Sequence, residues 1–582
     1  MNSLTFRYSA RLLRPAVVRP QTLYPRMLHS SNRRQSEPKN TTPDLESMRG
    51  EAEGVAPEVS TYAIGATVFF IGGLSYYLYS EYHHAISRYL PWSAHPPAES
   101  EPTAESKEAK RMSRLRNRLV PKSTMSAMEQ VNWAWTHPGL YVTGSNMHGL
   151  VDPLHPGSGV GLRTAVPGLD GKLIKDAVFS ETHAAAVDSQ GSLYQWGTGF
   201  TGSMAPHQPL LTRTDAKITA LAATTDYIVT LDKGSRVNVL RGTHSSEVTE
   251  KALEFEPKLG WRENVTSISA GANHLAVATS YGNVYTCALT TQGNDRSQLG
   301  HTAAPQPFTL RRLDSDRKFA SVACGAHHTL LLTDDGEVFG CGANDFGQLA
   351  MGDFAKGTTT VTKPTPLASL WASGRFDAAM ARAEKIAAGA HASYIVTRSS
   401  DAVQLLACGN GINGQLGNGT LPHMQGRFTK IQALSDHQEF DSITQTRRPI
   451  GIRTLSAAND HVVAVRDNQT SVAEDKSGSS VSKTPVFGYD VMAWGGNANG
   501  ECIPGRKHRF AEPVHLPPLF ATKVDGKTES NNAVRLQAAP RQWVSANSFA
   551  NVQQGSVSGK LLVEQAFVAG HDVTAAFLKP AN

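Results

Sequence analysis

Between residues 319 and 352 the chain reads FASVACGAHHTLLLTDDGEVFGCGANDFGQLAMG, and its apolar positions fall into three short runs. The runs at 321–323, 329–332 and 338–341 are separated by Gly-Ala-His and by Asp-Asp-Gly. Runs this short, bounded by turn residues, predict a hairpin followed by a third strand. A Gly347-Gln348-Leu349 segment closes the unit.

The same phrase returns along the chain, and its columns stay in register. The position of His328 is filled by His183, Asp226, His274, Ala392, His461 and Val573 in the other copies. The position of Cys341 is filled by Trp196, Cys287, Cys408, Trp494 and Thr143. Six residues after that column a glycine recurs as Gly149, Gly202, Gly347, Gly414 and Gly500. The stretch 217–242 is a worn copy. Residues 567–578 supply only the first half of a unit and residues 140–150 only the second half. A small sheet cannot bury both faces alone, so such an array must close or be capped. Pairing 140–144 with 567–578 closes it. The expected fold is all-β: a seven-bladed β-propeller with long insertions.

Gly-x-x-His-Thr, then Asp-Gly-x-Val, then Gly-x-Asn-x-x-Gly-Gln-Leu-Gly resembles the RCC1 repeat. The residues that carry the likeness are Gly325 to Leu349 and Gly409 to Gly417. A WD40 propeller would need Trp-Asp endings, whereas this chain has Trp-Gly at 196–197 and 494–495. The RCC1-like part is taken as residues 135–582, with insertions near 367–385, 467–484 and 506–559.

The segment ahead of it has a different composition. Residues 1–36 contain seven arginines and no acid, the composition of a mitochondrial transit peptide. Residues 37–60 form an acidic, polar spacer. Residues 61–80 contain YAIGATVFFIGGLSYYLY, uncharged and close to the length that crosses about 30 Å of hydrocarbon. A single transmembrane helix in the mitochondrial inner membrane is expected there. Residues 81–134 form a basic linker, which places the propeller on the matrix side by the positive-inside tendency.

Charge adds little else. Of 582 residues the net charge is +6, and much of the excess sits in the first 36 residues. A strong phosphate-binding surface on the propeller is therefore not implied, and nucleic acid is not an expected partner. The five cysteines (287, 324, 341, 408 and 502) form no C-x-x-C pair and no zinc spacing. Three of them share the column of Trp196 and Trp494 and read as small core residues. His183, His274, His328 and His461 occupy one column of separate blades and read as structural, each bonded to a turn or strand backbone. The neighbouring His327 and His391 are expected to face solvent. There is no nucleophile elbow, no Walker loop and no H-E-x-x-H. No enzyme activity, cofactor or metal is expected. Trp371 and Phe376, on a helix-like insertion, are candidate partner contacts.

The architecture is similar to that of fungal mitochondrial RCC1-like membrane proteins. That resemblance implies a protein-interaction scaffold in respiratory-chain assembly, with the cytochrome bc1 complex favoured. It leaves two alternatives: guanine-nucleotide exchange on a mitochondrial small GTPase, which needs no catalytic nucleophile, and a mitoribosome- or RNA-associated role.

Overall fold

The computed structural model describes residues 127–581 apart from 158–160, 215–216, 247–248, 304–305, 353–358, 368–381, 442–444, 469–487, 503–505, 518–534 and 550–558. The transit peptide, spacer and membrane span lie outside the described residues, as do Trp371 and Phe376. Among the described residues no helix is long and apolar enough to cross a membrane.

The first element is a helix, α1 (Ala127–Thr136), whose Val131 and Ala134 are buried against Ala539. The packed body therefore starts ahead of the expected boundary at 135. Two strands follow, β1 (Leu140–Gly144) and β2 (Gly161–Ala165), which belong to the last blade. Blade one is β3 (Ile174–Phe179), β4 (Ala184–Asp188), β5 (Leu193–Trp196) and β6 (Leu210–Arg213), with a short α2 (Thr198–Thr201) after β5. Blade two is β7 (Ile218–Ala223), β8 (Tyr227–Asp232), β9 (Val237–Arg241) and β10 (Glu250–Ala252), so the worn copy folds as a regular blade. Before blade three, β11 (Glu254–Glu256) runs parallel to the outer strand of that blade. Blade three itself is β12 (Val265–Ala270), β13 (His274–Thr279), β14 (Val284–Ala288) and β15 (Thr309–Arg312). Blade four is β16 (Phe319–Cys324), β17 (His328–Thr333), β18 (Val338–Ala343) and β19 (Thr360–Pro366). Blade five is β20 (Arg382–Ala388), β21 (Ala392–Arg398), β22 (Val403–Gly409) and β23 (Gln425–Lys430).

A small hairpin of β24 (Gln438–Asp441) and β25 (Thr446–Pro449) precedes blade six. That blade is β26 (Ile452–Ala457), β27 (His461–Arg466), β28 (Tyr489–Gly495) and β29 (Phe510–His515), with β30 (Gln537–Ala538) paired to β28. Blade seven begins with β31 (Gln542–Ser545), then β32 (Lys560–Gly570) and β33 (Val573–Pro580), and is completed by β1 and β2 in the order β2-β1-β33-β32-β31. The closing register pairs Leu140 with Phe577 and Gly144 with Val573. The expected ring of seven blades and its closure are both present. Residues 506–559 are not a plain insertion: they hold β29, β30 and β31. Pro513 and the short, half-exposed alternation of β29 hide an edge strand from a pattern search.

The second strand of each blade is mostly apolar and almost wholly buried because neighbouring blades cover both of its faces; β13 and β17 are buried at every position. The core is correspondingly a series of inter-blade clusters, such as Ala276, Val322, Leu331 and Phe339 between blades three and four. The inner strand of each blade, the first in blades one to six and β32 in blade seven, lines the central channel. In six of the seven it pairs irregularly near its start, at the second residue (Lys175, Thr219, Thr266, Ala320 and Arg453) or the third (Glu384). An extra residue there twists the strand and turns a side chain toward the channel mouth.

Candidate functional site

The histidine column does more than satisfy its own blade. His274 Nε2 meets Thr329 Oγ1 of the next blade at 3.0 Å. His328 Nε2 meets Ser393 Oγ at 3.0 Å, and His461 Nε2 meets Thr574 Oγ1 at 3.0 Å. Each partner is the residue one place after the histidine column in the following blade. Thr329 and Ser393 pass their own hydroxyl protons to the carbonyls of Gln298 at 2.8 Å and Gln348 at 2.6 Å. Those hydroxyl oxygens therefore accept from Nε2–H, which fixes His274 and His328 in that tautomer. For His274, His328 and His461 the expected backbone partner is corrected to a side-chain hydroxyl across the blade seam.

The pattern holds at six of the seven seams. Where a blade has Asp226, Ala392 or Val573 in the histidine column, the next blade has Leu275, Val462 or Ala184 in place of a hydroxyl. His183 breaks the rule, since it faces Tyr227. Burial holds all four rings neutral. It pushes His274 and His328 down to about 3, with neighbouring His327 adding to the shift, and pushes His183 and His461 down to about 4. The glycine of Gly-x-x-His makes room for the ring: a Cβ on Gly271 or Gly325 would overlap His274 or His328.

The Cys/Trp column provides a second set of seam bonds. Trp196 Nε1 donates to Leu150 O at 3.1 Å and Trp494 Nε1 to Gln415 O at 2.8 Å. Cys408 Sγ reaches Gln348 O at 3.4 Å, and Cys341 Sγ lies 3.6 Å from Gln298 O. Each donor binds the Gly-Gln-Leu loop, or its equivalent, of the preceding blade. The glycines of those loops take positive φ, +79° at Gly347, +83° at Gly414 and +80° at Gly500. At Gly347 and Gly414 the backbone also touches the next blade's outer strand, since a Cβ would lie 2.5 Å from Gly426 Cα and 2.6 Å from Phe510 O. All five cysteines are buried and free, and burial drives their thiols far up, to about 12 for Cys287 and Cys324. A thiol held protonated in this way is a poor nucleophile or metal ligand.

These bonds organise the end of the ring that carries the Gly-x-x-His turns and the Gly-Gln-Leu loops. Main-chain links run from turn to turn there: Thr225 N to Ala272 O, Ala272 N to Ala326 O, Ala326 N to Ala390 O, and Ala390 N to Ala458 O, at 3.0–3.3 Å. His327 and His391, expected to face solvent, are half buried at this end, and His391 packs on the Phe346 ring at 4.9 Å. Two adjoining loops and the strand after them expose Met147, Met204, Leu210 and Leu211, each about half accessible. The methyl of Met204 packs over Gly157 of the neighbouring loop. Leu210 and Leu211 lie on β6, an outer strand with neither proline nor a charge at its centre. By contrast β19 carries Pro364 and Pro366, β29 carries Pro513, and β15 is covered by β11. Exposed apolar side chains beside an unprotected edge mark a surface suited to another chain. Sequence reasoning missed this group because consecutive Leu-Leu reads as core until β6 is placed on the rim. Among the described residues no cluster of His, Cys, Asp and Glu has the arrangement of a metal site.

A protein-family model described as the regulator of chromosome condensation (RCC1) repeat matches residues 319–348. Among curated proteins the chain is similar to "Protein FMP25, mitochondrial" of Saccharomyces cerevisiae, 24% identical over 450 residues that cover 66% of this chain and 66% of that protein. It is also similar to "RCC1 domain-containing protein RUG3, mitochondrial" of Arabidopsis thaliana, 30% identical over 181 residues, 30% of this chain and 37% of the plant protein. The match thus spans just under two thirds of the yeast relative and little more than a third of the plant one. Human WBSCR16, known as a crystal structure, shares the fold with a TM-score of 0.50 at 15% identity, over 76% of this chain and 99% of that one. Both curated relatives are named as mitochondrial, which supports a mitochondrial address for this chain. The chain thus carries an RCC1 repeat at 319–348, and copies of that unit stand around a closed ring of seven blades.

Proposed function

We propose that this chain is a non-enzymatic mitochondrial scaffold, tethered to the inner membrane by residues 61–80, that presents the loop end of its propeller to a protein client in respiratory-chain assembly. One observation carries the reading. The side chains best able to do chemistry, the column histidines and the cysteines, are committed to holding blade against blade or are sealed in the core. What the ring offers outward is a stiff platform with an apolar group at Met147, Met204, Leu210 and Leu211. A rigid scaffold that exposes loops at one end is suited to recognition, although the fold alone does not choose the client. The family resemblance favours the cytochrome bc1 complex, and the basic flank of the span favours the matrix side.

The test is a native-gel profile of respiratory complexes in cells that lack the chain, complemented with the parent or with Met204→Ser/Leu211→Ser. Stalling of one complex, with mitochondrial translation normal and with rescue by the parent only, supports the scaffold and names its client. Intact complexes, or an equal fall in every mitochondrially translated one, would overturn it in favour of nucleotide exchange on a GTPase or a ribosomal role.

A further inference from the structure

The opposite end of the channel has a different character. Where blades six, seven, one and two meet, a cavity of about 630 Å³ opens at the channel mouth, and Lys175, Lys233 and Lys579 line it together with a single carboxylate, Asp176. Lys175 sits on the irregular second position of β3, which turns it into the mouth, and its Nζ donates to Ile218 O at 2.9 Å. Lys233 comes from the hairpin turn of blade two, and Lys579 from the end of β33.

The nearby carboxylates are largely engaged elsewhere. Asp176 accepts from the backbone N–H groups of Ala177 at 2.9 Å and Leu221 at 2.8 Å. Asp188 and Asp232 accept from the N–H groups of their own turns, at Gln190 and Ser192 and at Gly234 and Arg236. Just behind the mouth Glu564, buried, holds Arg453, Arg541 and Lys579 at once. Five cations (Lys175, Lys233, Lys579, Arg453 and Arg541) thus stand around Asp176, Glu564 and, beside Lys175, Asp188. Burial, and after it the Lys233 charge, press the Lys175 ammonium toward its neutral form, with the Asp188 carboxylate partly opposing them. Part of the cavity wall is apolar, formed by Leu561 and Val568.

We propose that this channel mouth binds a phosphate-bearing anion, the phosphate lying among Lys175, Lys233 and Lys579 and a short apolar part against Leu561 and Val568. Ammonium groups converging on a recessed, partly apolar cavity bind an anion more strongly than the same groups on open surface, because solvent screens them less. The ligand chemistry is shared by a free phosphate compound and by a lipid headgroup. The site is independent of the loop-end surface assigned to the client.

The test uses the purified full chain in detergent and isothermal titration with two probes, inorganic pyrophosphate and dihexanoyl phosphatidic acid. Saturable binding of at least one probe is expected. It should weaken at least tenfold in Lys175→Gln/Lys233→Gln, a loss of about 1.4 kcal/mol or more, and to a lesser degree in Lys233→Gln. Lys233 is exposed, so that single variant keeps the fold. Lys318→Gln, at the mouth of another cavity on the same end, should leave binding unchanged. Tighter binding of the phosphatidic acid identifies a lipid headgroup as the source, and tighter binding of pyrophosphate a free phosphate. No saturable binding of either probe up to about 5 mM, a Kd limit weaker than about −3 kcal/mol, would overturn the proposal. So would equal binding by the parent and both lysine variants.

Discussion

The seam bond at Ser393 allows a sharp test of how the ring is held. Ser393 has no exposed surface; its Oγ accepts from His328 Nε2 at 3.0 Å and donates to Gln348 O at 2.6 Å. Ser393→Ala removes one oxygen and little volume, so the change isolates the hydrogen bonds from packing. The His328 N–H then has no acceptor in an environment closed to water. Gln348 O keeps only the weak contact from Cys408 Sγ at 3.4 Å. A buried group left unsatisfied costs about 1–3 kcal/mol, so one full orphan and one partly compensated carbonyl together should cost about 2–4 kcal/mol. A ring of this size need not unfold in one step. The assay is therefore the urea midpoint together with amide exchange across residues 328–333 and 392–398. Faster exchange should appear on both sides of the seam between blades four and five and not at the seam between one and two. The cycle of His328→Ala, Ser393→Ala and the double variant should show a coupling of at least about 1 kcal/mol. A stability loss below about 0.5 kcal/mol with unchanged exchange would refute the claim that this hydroxyl relay holds the seam.

Three further outcomes are expected. Gly325→Ala should be far more damaging than Gly352→Ala: its Cβ meets the His328 ring and the Gly389 carbonyl, while Gly352, at positive φ, has open space around it. The first should cost several kcal/mol by overpacking and the second about 1–2 kcal/mol of backbone strain, read as unfolding midpoints. Acid should weaken the ring through the four column histidines. Each is held neutral when folded and titrates near 6.5 when unfolded, so its contribution is present above about pH 6.5 and fades as pH falls toward the folded values of 3 to 4. At pH 5 the loss is about 2 kcal/mol for each, and His461→Gln should flatten the slope of stability against pH by one proton. Deleting residues 140–144 should make β32 and β33 protease-sensitive, although these strands lie at the far end of the sequence; limited proteolysis with mass mapping reads it out.

Much of this was legible in the sequence because repetition supplies its own alignment. The column of His328 and the column of Cys341 mark where the second and third strands of a blade begin and end, and two half-units at opposite ends point to closure. The outer strands were not legible. β29 contains proline, β31 and β11 are a few residues long, and each is an edge whose pairing is set by what lies beside it rather than by its own pattern. The role of the histidines was half legible. The hydroxyl partners Thr329, Ser393 and Thr574 stand in the next column and vary in step with the histidines, but that relation means something only once neighbouring blades are known to touch at those columns. The lysine mouth was invisible for the same reason, since Lys175, Lys233 and Lys579 are spread through the chain and converge only when the ring closes.

That closure also bears on how the protein is made. β1 is the first of the described strands to leave the ribosome, and its partner β33 is the last of them. Until Val573 to Pro580 exist, β1 has an open edge and blade seven cannot form. Any product that stops short of Val573 therefore lacks the strand that locks the circle. The hydrogen bonds between Leu140–Gly144 and the C-terminal strand act as a test of completeness, leaving prematurely terminated or clipped chains open-ended and exposed to the proteases that clear them.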